Sequence, residues 1–136
     1  MSESRNHIDL VAVVVEYIKT IIAPDLHTII QYDSADSVRP KMVVGNYVPD
    51  VYYWHADQLI IGEAKTIDDF DRRHSREQYA AYITECKNFF GNSTFIIGVP
   101  WQIVATAKNY FRRLKKEFDT DIRIIIINEL GRHFEI

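Results

Sequence analysis

The residues best placed to do chemistry lie between Val48 and Lys65. Two runs rich in β-branched and aromatic residues, Met42 to Tyr53 and Leu59 to Lys65, lie on either side of Ala56-Asp57, which reads as the turn of a β-hairpin. A turn symmetric about Ala56-Asp57 sets Asp50 directly opposite Glu63. Opposed side chains share a sheet face with Cβ atoms about 4.5–5.5 Å apart, so the two carboxylates can hold one hard cation between them. Lys65 stands two residues beyond Glu63 and projects from the same face. The arrangement depends on register. Ala-Asp is a poor pair for a type I′ turn, and a slip of one residue would separate the two acids.

Two acids and a lysine on one face of apolar strands need a reason, because unpaired buried charge is costly. A divalent cation supplies one. Few oxygen ligands suit Mg²⁺, or Mn²⁺ in its place, which keeps waters for a substrate phosphate to displace. Such a cation polarises a scissile phosphate and lowers the pKa of a bound water, while Lys65 orients or helps deprotonate the attacking water and offsets developing charge. The competing reading is a cross-strand salt-bridge cluster on a solvated edge.

The elements that must position these residues follow from periodicity. Ile8, Val11, Val15, Ile18 and Ile22 repeat at helical spacing, widened by Val13, Val14 and Ile21, and predict a largely buried helix ending before Pro24. Thr28 to Tyr32, Met42 to Tyr53 and Leu59 to Lys65 read as three strands. A second helix begins at Ser75, with Tyr79, Tyr82, Ile83, Cys86, Phe89 and Phe90 inward, and Gly91-Asn92 ends it. Thr94 to Val99 is a buried strand. A third helix runs from about Gln102 to Phe118 with Val104, Ala107, Phe111, Leu114 and Phe118 inward. The apolar run Ile122 to Ile127 is a strand covered on both faces. The order α-β-β-β-α-β-α-β predicts a mixed α/β (α+β) fold in which helices flank a mixed central sheet on both sides.

The segments Pro49-Asp50 and Glu63-Ala64-Lys65, in that order of elements, resemble the PD-(D/E)xK nuclease superfamily. The resemblance covers roughly Ile8 to Val99. It implies a restriction-endonuclease-like core, α-β-β-β-α-β, here with an extra C-terminal helix and strand. It also implies that Asp50, Glu63 and the backbone carbonyl of Ala64 bind the metal and that Lys65 assists the nucleophile. Many members add an acid from the first helix, for which Glu16 is the candidate. Gln78-Tyr79-Ala80-Ala81-Tyr82 resembles the Gln-x-x-x-Tyr signature of the RecB-like branch. Gln78 and Tyr82, one helical turn apart, would then line the cleft.

Each supporting residue also has a plainer use. Glu16 can pair with Lys19 on a helix surface. Gln78 stands three residues after Ser75, as in a capping box, and Tyr82 falls on the apolar stripe. Arg72, Arg73 and Arg76, with His74, open the second helix where a phosphate would meet its positive end, yet Asp68, Asp69 and Asp71 stand beside them. Arg112, Arg113, Lys115 and Lys116 read as a solvated helix face. Tyr52 and Trp54 share Asp50's face by parity, whereas Tyr53 points the other way.

The chain has 136 residues, 47% hydrophobic and 26% charged, which suits one domain over residues 1–136. No run reaches the roughly 18 apolar residues of a membrane span, and the start shows no secretion-signal pattern, so a cytoplasmic protein is expected. One cysteine, Cys86, rules out an internal disulfide framework, and the five histidines are scattered. The formal charge of -3 argues against a sequence-independent coat for DNA. The expectation is a metal-dependent nuclease acting on DNA, RNA remaining open because the motif reads a phosphodiester and not a sugar. So small a chain would draw specificity from a homodimer or a partner protein. The alternatives are a non-cleaving nucleic-acid-binding or assembly module that keeps the fold, and a regulatory subunit that uses the hairpin charges for partner contact.

Overall fold

A computed structural model describes residues 5–22, 31–32 and 44–136. Helix α1 (Arg5–Tyr17) runs on into a π-helical turn (Ile18–Ile22). It is followed by β1 (Gln31–Tyr32), the hairpin of β2 (Val51–His55) and β3 (Gln58–Ala64), the short α2 (Ile67–Phe70) and α3 (Arg73–Asn88). Strand β4 (Asn92–Gly98), a 3-10 turn (Trp101–Ile103), α4 (Val104–Glu117), β5 (Arg123–Ile127) and β6 (His133–Glu135) complete the order. The strands form one mixed sheet in the order β1-β2-β3-β4-β5-β6. β1 to β3 and the β5–β6 pair are antiparallel, and β3, β4 and β5 run parallel.

The parallel strands follow one another in one direction across the sheet, so their right-handed crossovers, α2–α3 and α4, must cover the same face. They pack there on Leu59, Ile61, Phe95, Ile97, Ile124 and Ile126, with Tyr79, Tyr82, Ile83, Phe111 and Leu114 from the helices. Helix α1 covers the other face through Leu10, Val11, Val14, Val15, Tyr17 and Ile18, against Val51, Tyr53, Ile60, Ile96, Ile125 and Ile127. Burial of each such side chain contributes about 1.5–3 kcal/mol. The helix can sit so close because Gly62 has no side chain: a Cβ there would lie 2.8 Å from Val14 Cγ1.

The first helix, both crossovers and the apolar strands therefore stand where periodicity placed them, with several differences. Ile8 and Ile21 are exposed, since the buried stripe of α1 runs through Leu10, Val14 and Tyr17 instead. Only Val51 onward pairs as a strand in the Met42–Tyr53 run. Before it, Val44 and Tyr47 bridge each other around Gly45, whose φ is 62°, and residues 42–43 lie outside the described residues, as does most of Thr28 to Tyr32. Phe90 is exposed because α3 already ends at Asn88. Strand β6, absent from the sequence expectation, is short and half-exposed, and a two-pronged ion pair from Arg123 to Glu135 at 3.0 Å ties it to β5. Among the described residues no helix is long and apolar enough to cross a membrane.

Candidate active site

The hairpin register is the one that symmetry about Ala56-Asp57 predicts, from His55 opposite Gln58 to Val51 opposite Gly62. Ala56 takes a positive φ of 52° to make the turn. One step beyond Val51 and Gly62, Asp50 and Glu63 meet. Asp50 N–H donates to Glu63 Oε1 at 3.0 Å, and Ala64 N–H donates to Asp50 Oδ2 at 2.9 Å. Each carboxylate thus takes up a backbone donor of the other strand, which locks the pair in place. Both side chains are buried, with residue exposures of 8% for Asp50 and 4% for Glu63.

Lys65 directly follows β3, its N–H held by Gly98 O at 2.9 Å, so its backbone is fixed by the neighbouring parallel strand. Its side chain turns to the α3 face as parity requires. There Nζ lies 3.5 Å from Glu63 Oε2 and donates to Gln78 Oε1. Gln78 Nε2 in turn reaches Tyr82 Oη at 3.5 Å, and both residues are buried. The capping-box alternative for Gln78 does not apply. Helix α3 starts at Arg73, and Ser75 Oγ donates instead to Asp69 O at 2.6 Å.

Burial, first, and the Asp50 charge, second, push Glu63 well above the ordinary carboxylate range, against the opposing pull of Lys65. Tyr82 is raised by burial and by the same two carboxylates, as expected of a phenol that shares their low-dielectric pocket.

One contact was not expected. His7 Nε2 lies 3.1 Å from Asp50 Oδ2. His7 stands four residues before Val11 and seven before Val14, both buried, so the stripe of α1 that packs on the sheet extends to it. A search for histidine pairs at zinc spacing passes over such a residue, whereas extending the apolar stripe toward the helix start would have found it.

Glu16 stands elsewhere. It lies nine residues after His7, which turns it to the opposite side of α1, and it is exposed in a separate cleft with Tyr17, Ile127, Glu129 and His133. Arg72, Arg73 and Arg76 are exposed, and each faces an acid: Asp69 at 3.4 Å, Glu77 at 3.6 Å and Asp71 at 3.7 Å. Arg113 pairs with Glu117 at 3.7 Å on α4. Tyr52 packs at the margin of the α3 side and Trp54 is exposed near the hairpin tip, its indole N–H bonded to Ala56 O at 3.1 Å. Tyr53 is buried under α1, its hydroxyl without a hydrogen-bond partner among the described residues.

Among the described residues, no three His, Cys, Asp or Glu side chains are grouped to hold a metal ion. The donor set nonetheless fits a hard cation that keeps most of its own waters. Two buried carboxylates face each other there, and the charge of Asp50 adds to burial in raising Glu63. Comparison with protein-family models, with curated proteins and with solved structures gives no match.

Proposed function

We propose that this chain is a divalent-metal-dependent nuclease of the PD-(D/E)xK type, built on a restriction-endonuclease-like core, that hydrolyses phosphodiester bonds of DNA. The observation that carries this reading is the buried meeting of Asp50 and Glu63 across the hairpin, with Lys65 on the same face and anchored by Gln78. A structural salt bridge would need one acid for one lysine. Here a second buried acid sits beside the first, and Glu63 is pushed upward by burial first and by that acid second.

Asp50 and Glu63 are the residues that would hold Mg²⁺ or Mn²⁺, with the Ala64 carbonyl as an added oxygen. Bound there, the cation would polarise the phosphate and acidify a water. Lys65, held by Gln78 beside Glu63, would orient a water at the site and offset negative charge developing on the phosphate. Tyr82 closes the far side of Gln78, and His7 holds one oxygen of Asp50. Glu16, turned to another cleft, has no place in this mechanism.

The paired arginines favour a second reading, a nucleic-acid-binding or assembly module that keeps the fold without cleaving, or a nuclease whose grip on DNA comes from a dimer or a partner protein. The test is incubation with supercoiled plasmid, single-stranded DNA and a four-way junction in Mg²⁺ or Mn²⁺, beside Asp50→Ala and Lys65→Ala. Cleavage lost in both variants supports the assignment. Cleavage that survives both sinks it, and cleavage of nothing by the parent chain favours the binding module.

A further inference from the structure

Strand β6 stands at one end of the sheet, and among the described residues nothing pairs with its outer edge. The bonds it makes inward fix which groups face outward. Asn128 N–H donates to Arg132 O at 2.9 Å, and Ile136 N–H donates to Ile124 O at 3.0 Å. Hydrogen-bonded pairs alternate along an antiparallel ladder, so Arg132, Phe134 and Ile136 turn their backbone groups to β5. His133 and Glu135 therefore turn theirs outward, one N–H and one C=O each, and both residues are exposed. Such an edge is a template for another strand.

Helix α4 sets the charge beside it. Lys108 Nζ lies 3.8 Å from the centre of the Phe134 ring, and Lys115 Nζ donates to Ile136 O at 3.1 Å, so one flank of α4 runs along β6. Arg112 and Lys116 share that flank, one and two turns after Lys108. Arg132 adds its guanidinium, 5.7 Å from the same ring centre. Among the described residues none of these cations has an acid within ion-pair distance, whereas Arg72, Arg73, Arg76, Arg113 and Arg123 all do. Asp119 and Asp121 share the notch at the end of α4 with Arg112, Lys115 and Lys116, and leave the cations in excess. In a chain of net charge -3 this flank is a local reversal of sign.

Edge and charge together select the occupant. A second copy docked by its own β6 across a two-fold axis would set one cationic flank against the other. A phosphodiester backbone only accepts hydrogen bonds, so it would leave the outward carbonyls of His133 and Glu135 without a donor. An extended peptide supplies donors and acceptors at the spacing of a strand, and acidic side chains on alternate residues would face α4. We propose that β6 and α4 dock an acidic, extended segment of a partner protein, which joins the sheet as a strand beyond β6. The proposal goes beyond the nuclease reading, since β4 and β5 separate this edge from the hairpin that carries Asp50 and Glu63.

The probe is a short fluorescein-labelled peptide alternating Glu and Thr, followed by anisotropy at low and moderate salt. The expected result is saturable binding that weakens as salt rises. A protein carrying both Arg112→Glu and Lys116→Glu, at two exposed positions, should bind it roughly tenfold more weakly, the scale of several exposed charge pairs reversed together. Amide hydrogen exchange reads the geometry: the N–H groups of His133 and Glu135 should gain protection when the peptide binds. The same peptide with methylated backbone nitrogens keeps its charge, loses its donors, and should bind weakly and protect neither amide.

Unchanged affinity in the charge-reversed protein, or binding that leaves both amides exchanging freely, would overturn the proposal. So would failure of the Glu-Thr peptide to bind at low salt. Displacement of the peptide by oligothymidine of equal charge would also overturn it and assign the flank to polyanions at large.

Discussion

Replacing Glu63 with Gln should make the protein more stable at neutral pH while abolishing its proposed activity. Glu63 has two charged neighbours. Lys65 at 3.5 Å attracts it by about 5 kcal/mol at an effective dielectric near 20, and a facing carboxylate at roughly 5 Å repels it by about 3 kcal/mol. These leave a net attraction of about 2 kcal/mol, less than the several kcal/mol that burial costs an ion, so burial decides the balance, in agreement with burial as the first cause of its raised pKa.

The amide keeps the shape, and its oxygen can still accept the Asp50 N–H. The expected gain is about 1–3 kcal/mol, or roughly 3–10 °C in Tm for a domain of this size. The sign follows from linkage. A folded-state pKa above the unfolded one contributes stability that is fully present at acid pH and is lost as pH rises through the folded value. The parent chain loses that contribution and the variant has none to lose, so the gap between them should be absent in acid and widen as the pH rises toward the folded-state value. Other titrating groups are common to both proteins and cancel. Mg²⁺ should narrow the gap, since the cation stabilises only the chain with the ionised pair. Thermal denaturation of both proteins from pH 4 to 8 makes the measurement. A variant less stable than its parent at neutral pH, or a gap unchanged by pH, would refute the reasoning.

Three further outcomes are expected. Gln78→Leu removes the acceptor that holds Lys65 Nζ, and should lower kcat by roughly tenfold to a hundredfold with little change in KM, the scale of one hydrogen bond to a charged group; a loss in KM alone would contradict the anchoring role. Gly62→Ala drives a methyl to 2.8 Å from Val14 Cγ1, so urea unfolding should show about 1–3 kcal/mol of lost stability, and an unchanged midpoint would mean that α1 is free to shift. Cys86 is buried, with its thiol pushed up to about 12 by that burial; a thiol reagent should therefore label it only as fast as the chain unfolds, and prompt labelling of the folded protein would contradict its packing.

The carboxylate hairpin was legible because pleating has a period of two and the loop has two residues, so one assumption about symmetry set every pair from His55–Gln58 outward. Even the unfavourable turn did not upset it. Gly91 shows why: a side chain there would strike Asp57 O at 2.1 Å, and Asn92 N–H donates to that same oxygen at 2.7 Å, so the turn is clamped from β4. Sequence patterning could assign Gly91 only to a helix end, because a contact between residues so far apart leaves no local trace. The same holds for His7. The crossover helices were legible through their apolar stripes. Strand β6 was not, since it is three residues long and mostly exposed, placed by its pairing with β5 and the Arg123–Glu135 ion pair, with no hydrophobic period to read.

The short loop of the hairpin also implies an order in time, with the clamp from β4 arriving late. The Asp50–Glu63 contact spans 13 residues across a two-residue turn, a closure that hairpins reach in about 1–10 μs. The partner on α1 comes from 43 residues away, and the parallel pairing of β3 with β4 must wait for an entire crossover. The two acids can therefore be brought together before Lys65 has its anchor or α1 has covered the sheet. During that interval water still screens their repulsion, and the charge is sealed into the interior only as the slower elements dock.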